Sequence, residues 1–379
     1  MAEKPLSVAL IGAGMGGLAA AAMLLRKGQD VTVYEQAPAF TRLGAGIQQG
    51  PNTVKALRGI GLEQRLRDVS FRPEMTRYRD AADGTIRWER LQGDTYEEKY
   101  GAPQLLLHRA ELHSALASKV PETYIKLGKT LTGFAQGDDG VRMDFADGTS
   151  AEADVMIAAD GVHSVVRDAV AGPGEQRYTG RVAYRTTFPA SLMNGREIEA
   201  STKWMADDRH IVIYYLNEAR DEIYFVTSTP EPDYSIESWS TTGDMDELRR
   251  TYAGFHEEVR AVLDACPSAH KWALVSREPL PTWHKGRVAL LGDACHPMTP
   301  YMAQGAGMAI EDAAILARCL EGAGQGDITP ALAKYEAIRK PRASWIQAAS
   351  GTNDIDQFRR EQDKVFSYDA WTAPLDIPG

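Results

Sequence analysis

The alternation of apolar and polar residues is clearest near the start of the chain. Ser7 to Ile11 is a short apolar run, and Leu18 to Lys27 is rich in alanine and leucine. A glycine-rich turn at residues 12–17 joins them, and Asp30 to Glu35 alternates apolar and polar positions. Gly28 is the residue type that commonly follows a helix end. The pattern predicts strand, helix and strand, the βαβ unit of a parallel sheet.

The middle of the chain predicts a mixed α/β fold. Helices are expected at Pro51 to Ile60 and at His108 to Ser118. Thr123 to Phe145 alternates like antiparallel strands, with turns at its Asp-Gly pairs. From Tyr178 to Leu274 the pattern becomes β-rich and carries many of the aromatic residues. This change indicates a second lobe.

The pattern of the first lobe returns after that region. Arg287 to Leu291 is typical of a buried parallel strand, and Gly305 to Leu320 of a buried helix. We therefore predict that the second lobe is inserted into the first. The first lobe is expected at residues 1–72, 97–175 and 281–350, the second at 73–96 and 176–280, and a C-terminal segment of weak periodicity at 351–379.

Composition limits the partners to be expected. With 44% hydrophobic and 25% charged residues among 379, the chain is typical of a compact globular protein. A formal net charge of −10 opposes binding to nucleic acid or to an anionic membrane surface. The three cysteines form no CxxC pair and the eight histidines lack ligand spacing, so no metal site is predicted. The uncharged stretch Ser7 to Leu25 lacks the flanks of a targeting segment, and we expect a cytoplasmic protein.

The glycine turn has the spacing of a dinucleotide-binding fingerprint. Gly12, Gly14 and Gly17 follow the first strand and open the helix, and Glu35 ends the second strand. Glycines let the backbone approach a pyrophosphate, the helix N-terminus stabilises its charge, and a carboxylate can bind a ribose diol. The alternative is a coincidental glycine-rich turn. The fingerprint alone leaves NAD and FAD both open.

Two later segments supply a more specific pattern. Ala158-Ala159-Asp160-Gly161 follows one predicted strand, and Leu291-Gly292-Asp293-Ala294-Cys295-His296-Pro297 follows another. Together with the glycine turn, they resemble the flavoprotein aromatic hydroxylases of the para-hydroxybenzoate hydroxylase class. The resemblance implies a Rossmann-like FAD-binding domain with an inserted β-rich substrate domain. It also implies NADH or NADPH as a transiently docked electron donor, O2 as co-substrate and a small aromatic acid as substrate.

The resemblance also implies cofactor contacts. Gly12, Gly14 and Gly17 are expected at the FAD pyrophosphate and Glu35 at the adenosine ribose. A helix starting at Gly305 would place its positive end against the negative charge of reduced flavin. The remaining expected cofactor residues are Arg42, Arg109, Asp160, Asp293, Ala306 and Gly307. For the arginines, including Arg167, the alternative is a surface ion pair.

At a finer level the chain resembles the 6-hydroxynicotinate 3-monooxygenase family, which hydroxylates a pyridine acid with loss of its carboxyl group. The matching segments include Lys203-Trp204, Asp208-Arg209-His210, Tyr214-Tyr215 and Tyr224-Phe225-Val226-Thr227. Three positions depart from that family: Gln48 and Tyr301 stand where histidine is expected, and Ser201 where cysteine is expected. The resemblance implies substrate contacts from Gln48, Ser201, Val212, Thr227 and Tyr301. A salicylate or hydroxybenzoate hydroxylase remains an alternative, as does a non-catalytic nucleotide-binding protein of the same fold.

His210 and Tyr214 are the candidate catalytic residues. They lie four residues apart on one alternating strand, so their side chains are expected on the same face. We hypothesise that they help to ionise a ring hydroxyl of the substrate. The alternatives are a core tyrosine and a solvated histidine at a strand end. Cys295 and His296, being adjacent, are not expected to act as nucleophile and base. The sequence leaves a monomer and a homodimer equally open.

Overall fold

The computed structural model describes residues 5–41, 45–234, 242–352 and 355–376, with side chains undescribed at 355–358. No helix in these ranges is long and apolar enough to cross a membrane. The strands are β1 Ser7–Ile11, β2 Asp30–Glu35, β3 Gly46–Gln49, β4 Met75–Asp80, β5 Ile86–Leu91, β6 Leu105–His108, β7 Ile125–Leu127, β8 Leu131–Gln136, β9 Val141–Phe145, β10 Ser150–Ala153, β11 Val155–Ala158, β12 Arg177–Pro189, β13 Ser201–Met205, β14 His210–Tyr215, β15 Glu222–Pro230, β16 His270–Ser276, β17 His284–Lys285 and β18 Val288–Leu290.

The helices surround two large sheets. They are α1 Met15–Arg26, α2 Pro51–Arg58, α3 Glu63–Val69, α4 Gly93–Tyr100, α5 Arg109–Ala117, α6 Arg167–Ala171, α7 Met245–Thr251, α8 Glu257–Ala265, α9 Gly305–Cys319, α10 Ile328–Thr352 and α11 Ile355–Phe366. The predicted βαβ unit is present as β1, α1 and β2. The backbone of Gly28, just past α1, has a φ of +82°, which explains the glycine there.

The first large sheet has the strand order β17-β18-β11-β1-β2-β7. Its strands from β18 to β7 are parallel, and β17 is antiparallel at one edge. Helices α1 and α9 pack against each other on this sheet. The prediction that Thr123 to Phe145 is wholly antiparallel was wrong at its start. Ile125–Leu127 instead extends the parallel sheet beside β2, while β8, β9 and β10 form the antiparallel sheet.

The second large sheet has the strand order β16-β12-β15-β14-β13-β4-β5. It combines strands from Tyr178 to Leu274 with the earlier hairpin of β4 and β5. Its core contains aromatic side chains, Trp204 and Phe225 among them. The purely β-rich prediction missed α7 and α8, which cover one face of this sheet with buried Leu248, Val259 and Val262. These helices are only 7 and 9 residues long, so the aromatic strands dominate the local pattern.

The C-terminal segment is more ordered than its weak periodicity indicates. Most of residues 351–379 form helix α11 and a following turn that return to α2. Lys55 donates hydrogen bonds to the carbonyls of Phe366 and Ser367, at 3.0 Å each. The Trp371 indole donates to the Ala56 carbonyl at 2.7 Å. The end of the described chain is therefore packed onto the first lobe.

Candidate active site

One cavity of about 640 Å³ lies between the two large sheets. On one side it reaches the loops that follow β1, β11 and β18, at the carboxyl end of the parallel strands, where ligands bind in folds of this type. On the other side it is bounded by one face of the seven-stranded sheet. The sequence-predicted residues that line it are Gly14, Gln48, Arg109, Ser201, His210, Val212, Tyr214, Thr227, Asp293, Tyr301, Gly305 and Ala306.

The glycine turn opens helix α1 toward this cavity. Gly12 has a φ of +100°, and a Cβ there would lie 2.4 Å from the Ala159 carbonyl oxygen. A Cβ on Gly17 would lie 1.9 Å from the carbonyl oxygen of Gly12. A Cβ on Gly14 would meet no atom within 4 Å, because this residue faces open space. Two glycines thus close the turn, and Gly14 leaves room beside the helix N-terminus.

Glu35 supports the turn from the end of β2. Its carboxylate accepts hydrogen bonds from the backbone N–H groups of Ala13, at 2.7 Å, and Ala37, at 2.8 Å. Glu35 does not itself line the cavity among the residues described, and neither do Gly12 and Gly17. The carboxylate therefore holds the shape of the turn through its backbone.

A second helix N-terminus meets the cavity at α9. Gly305 and Ala306 line the cavity, and α9 has no side-chain cap and no acidic residue in its first turn. Gly307 faces the other way, since a Cβ there would lie 2.5 Å from Thr53 Oγ1. Helix α1 likewise lacks a side-chain cap. Two uncapped, partly positive helix ends thus point at one space.

Arg109 and Asp293 bring opposite charges to the same region. Burial lowers the pKa of Arg109, and the Asp293 carboxylate opposes that shift. Burial raises the pKa of Asp293, while His296, Arg109 and Arg167 act against it. Asp293 is nevertheless accessible to solvent because it projects into the cavity. An acceptor placed in this way suits a ligand hydroxyl.

The seven-stranded sheet forms the opposite wall of the cavity, which we call the β wall. His210, Val212 and Tyr214 alternate along β14 and all line the cavity, as the strand period predicts. Next to them, Ser201 pairs with Tyr214 in the β13–β14 register. Tyr301 comes from the loop before α9, and its ring lies 5.7 Å from that of His210.

The sequence of most of the chain matches one known family. Residues 5–350 match the FAD binding domain family. The chain belongs to the FAD binding domain family. It is 43% identical over 377 residues to 6-hydroxynicotinate 3-monooxygenase of Bordetella bronchiseptica, covering 99% of this chain and 98% of that one. It is 41% identical over 380 residues to the enzyme of the same name from Pseudomonas fluorescens, covering 100% and 98%.

A solved structure agrees with this assignment. Klebsiella pneumoniae HpxO complexed with FAD and uric acid superposes with a TM-score of 0.82 and 28% identity, over 96% of this chain and 93% of that one. The predictions of an FAD-binding α/β fold and of a flavin-dependent monooxygenase are confirmed. Within this FAD binding domain family, the chain is therefore an enzyme rather than a non-catalytic nucleotide-binding protein.

The residues present fit FAD. Gly14 leaves open space beside the α1 N-terminus, where a pyrophosphate would meet free backbone N–H groups. Arg109 can offer a guanidinium to phosphate oxygens, and Asp293 an acceptor to a polyol chain. The α9 N-terminus is available to an anionic flavin ring.

Two predicted residues near the cofactor side, Asp160 and Arg167, do not line the cavity. Arg42 lies outside the described residues. Asp160 follows β11, its Oδ1 is buried without a hydrogen-bond partner in the described structure, and burial raises its pKa. Arg167 is not in a surface ion pair. It is buried and donates to backbone carbonyls, including Ala294 at 2.6 Å and Asp293 at 2.9 Å, and so holds the loop that carries Asp293.

Burial shifts the candidate catalytic groups in opposite directions. Burial, together with the positive charges of Lys203 and Arg181, holds the pKa of His210 well below its usual value. Burial and nearby Tyr224 raise the pKa of Tyr214 well above its usual value, although a hydrogen bond with Gln48 opposes this. Both side chains are therefore neutral at pH 7. No hydrogen bond joins them within the described chain, so a relay between them would run through the substrate.

Sequence reasoning missed several polar residues of the β wall. Arg185 on β12 lies 4.0 Å from the Trp272 ring centroid, and both line the cavity. Lys203 on β13 and His270 on β16 also line it. A charged residue within an apolar strand indicates that its side chain faces either solvent or a polar cavity. The sequence alone does not show which of the two it faces.

A buried ion network lies behind the α9 N-terminus. Arg339 donates to Asp312 at 2.7 Å and to Glu311 at 2.8 Å, and all three side chains are inaccessible to solvent. Asn52 donates to Glu311 at 2.6 Å, and Arg342 pairs with Glu311 at 2.8 Å. Burial alone would raise the pKa of both acids. Arg342 and Arg339 hold the pKa of Glu311 below its usual value, and His296 and Arg339 hold that of Asp312 below its usual value. The network joins α2, α9 and α10.

One side of this network contains metal-type ligands. Atoms of Cys295, His296 and Asp312 lie within 4.8 Å of one another. His296 Nε2 lies 2.5 Å from one Asp312 oxygen, and Arg339 binds the other. Burial raises the pKa of Cys295 well above its usual value, and its thiol donates to the Gly292 carbonyl. The Cys295 thiol is neutral, and both oxygens of Asp312 already have partners. Burial and the ion network therefore account for this cluster of side chains.

Proposed function

We propose that this enzyme converts 6-hydroxynicotinate to 2,5-dihydroxypyridine, consuming NADH or NADPH and O2 and releasing CO2 and water. The observation that carries the proposal is identity of 41–43% over nearly the whole of both chains with 6-hydroxynicotinate 3-monooxygenases. In the balanced reaction, one oxygen atom enters the ring at the carbon that loses the carboxylate. The other oxygen atom leaves as water with two electrons from the nicotinamide donor.

The chain's own residues would hold the cofactor at the first lobe. Bound FAD supplies electron transfer from the nicotinamide donor and activation of O2. Gly14 and the α1 N-terminus would meet the pyrophosphate, and Arg109 and Asp293 would meet phosphate and ribityl groups. The α9 N-terminus would stabilise negative charge on the ring. The nicotinamide donor would dock transiently, since the later glycine cluster at Gly322 follows a helix and opens no dinucleotide fold.

The β wall would orient the substrate. The Tyr214 hydroxyl, hydrogen-bonded with Gln48, can donate a hydrogen bond to the ring oxygen of the substrate as that oxygen ionises. Tyr301 lies against His210, and its hydroxyl lies 2.9 Å from Ser228 Oγ. Gln48 and Tyr301 can form hydrogen bonds to a ring oxygen or a carboxylate of the substrate. We propose that these contacts, with Ser201, Val212 and Thr227, define the substrate site.

A substrate panel tests this proposal. Purified FAD-loaded enzyme is mixed with 6-hydroxynicotinate, 3-hydroxybenzoate or salicylate, with NADH and NADPH compared in parallel. The proposal expects 6-hydroxynicotinate to stimulate oxidation of the nicotinamide donor most strongly and to yield 2,5-dihydroxypyridine. Hydroxylated product from a benzoate, with none from 6-hydroxynicotinate, would assign the enzyme to the hydroxybenzoate class instead. Salicylate serves as the control for a different position of the ring hydroxyl.

A further inference from the structure

Lys203 is a buried cation that faces the cavity without a protein anion. It lies in the middle of β13, opposite Val212 of β14, and lines the cavity. Only 8% of the residue is exposed. Across the described chain, its Nζ makes no ion pair and no hydrogen bond. This differs from buried Lys271, whose Nζ lies 2.8 Å from Glu231 and 3.2 Å from Glu247.

An unpaired ammonium in such a place is costly. Removing a charged group from water costs several kcal/mol unless a partner of opposite charge or hydrogen bonds replace the solvent. Burial, with the positive charge of Arg90, lowers the pKa of Lys203 to about 8. At pH 7 the ammonium form therefore still predominates. A residue of this kind is stabilised when an anion enters the cavity.

The protein does not supply that anion from the cavity wall. Among the described residues that line the cavity, Asp293 is the sole carboxylate, and it lies near Arg109 on the cofactor side. On the β wall, Lys203 stands with the basic residues Arg90 and Arg185. The partner anion must therefore come from a bound ligand.

Lys203 stands opposite Val212, one alternate position from Tyr214 toward His210 along β14. Arg185 is among the charges that act on Tyr214, whereas Lys203 is among those that act on His210. His210 and Tyr214 are four residues apart on β14, roughly 13 Å at ~3.3 Å per residue. The ring hydroxyl is assigned above to the Tyr214 side. A second anionic group of the substrate then belongs on the Lys203 side.

We propose that Lys203 binds the carboxylate of the aromatic acid and sets the preference of this enzyme for acids over neutral ring compounds. Hydroxyl groups lie beside it: Ser201 precedes it by two residues on the same strand face, and Ser201 Oγ lies 3.0 Å from Thr76 Oγ1. These hydroxyls can complete the hydrogen bonding of a carboxylate. The inference rests on the proposed function, which supplies the acid.

The test compares an acid with its neutral isostere. Binding of 6-hydroxynicotinate and of 6-hydroxynicotinamide to the FAD-loaded enzyme is measured by the change in flavin absorbance. The wild type is expected to bind the acid at least 10-fold more tightly than the amide. In Lys203→Met that preference should fall by ~10–100-fold, the range of one charge-assisted hydrogen bond, because the acid loses affinity and the amide does not. Lys203→Arg should keep most of the preference.

Controls separate a local effect from a general one. Lys126→Met removes an exposed lysine from β7 of the other large sheet and should leave the preference unchanged. An unchanged preference in Lys203→Met, or equal weakening of acid and amide, would overturn the proposal. If Lys203→Met does not retain FAD, Lys203→Gln provides the same comparison with a polar side chain.

Failure of the proposed function gives a different result. In that case the wild type does not convert 6-hydroxynicotinate, while a hydroxybenzoate is converted. The same variants are then compared on 3-hydroxybenzoate and 3-hydroxybenzamide. Loss of acid preference in Lys203→Met would still support the carboxylate role, and its retention would still reject it.

Discussion

At the scale of single residues, Tyr214 carries the most specific chemical expectation. Tyr214→Phe removes one hydroxyl and keeps the ring, so FAD binding should persist while hydroxylation slows by ~10²–10⁴-fold, the usual range for lost acid–base help. The donor should still be oxidised, with electrons diverted to hydrogen peroxide. Product per donor oxidised is the measurement. Tyr215→Phe on the same strand, whose hydroxyl accepts from the Ile198 N–H, is the matched control. Equal coupling in Tyr214→Phe and wild type would remove Tyr214 from the mechanism.

His210 yields a prediction about pH. Its pKa is held well below the usual value by burial and by nearby positive charges, so the imidazole is uncharged, with one ring N–H, at neutral pH. His210→Gln should therefore lower kcat/KM without changing the shape of its pH profile near neutral pH. The sign for stability follows as well. Because the unfolded chain binds the proton more readily, this group makes folding more favourable as pH rises toward 6.5. An inflection near pH 6.5 in the wild type that His210→Gln abolishes would contradict this.

The substrate wall was predictable only in part. Strand alternation was enough to place His210, Val212 and Tyr214 on one face. The same rule could not place Arg185 or Lys203, because an alternating charged residue is equally typical of a solvated face. Gly307 shows the same limit on a helix. Its close approach to Thr53 depends on where α2 lies, and its expected contact with the cofactor stays a prediction.

At the scale of elements, the position of α9 depends on the buried ion network. Arg339→Met would leave Glu311 and Asp312 short of a cation in a site without solvent. Removing one partner of a buried pair typically costs ~3–5 kcal/mol, and the free energy of unfolding of the FAD-loaded enzyme should fall by about that amount. The control is Arg142→Met, whose ion pair with Asp144 is exposed and should contribute less than about 1 kcal/mol. Similar losses in the two variants would refute the role of the network.

The C-terminal helix provides a second element-scale prediction. Phe366 lines the cavity and packs beside Tyr96 and Tyr100. Phe366→Ala should lower the free energy of unfolding by ~3–5 kcal/mol, the usual cost of truncating a buried aromatic residue. Phe40→Ala removes an exposed ring and should cost much less. The free energies of unfolding are compared by urea denaturation of the two variants. Equal midpoints would show that the packing of α11 does not stabilise the fold.

The reason α11 was missed is physical. Its neighbour α2 is far away in sequence, and Lys55 of α2 donates hydrogen bonds to the carbonyls of Phe366 and Ser367. Weak periodicity in a terminal segment does not reveal such tertiary contacts. Strand β7 was misplaced for the same reason, since three residues cannot show which sheet they join.

At the scale of the whole molecule, the FAD-binding fold was the most predictable feature. The glycine turn, the segment at Asp160 and the segment around Asp293 mark the loops that follow three parallel strands, β1, β11 and β18, and the carboxyl ends of those strands meet at one cavity. The sequence could not indicate how the seven-stranded sheet faces that edge. The tertiary structure places the uncapped N-termini of α1 and α9 across the cavity from the basic residues of the β wall.

Labelled substrate tests most directly whether this enzyme performs a decarboxylative hydroxylation. The FAD-loaded enzyme is given 6-hydroxynicotinate labelled with ¹³C in its carboxyl group, together with O2 and a limiting amount of NADH. We expect one labelled CO2 and one 2,5-dihydroxypyridine for each NADH consumed. A hydroxylated product that retains the label, or NADH oxidation that yields only hydrogen peroxide, would contradict it.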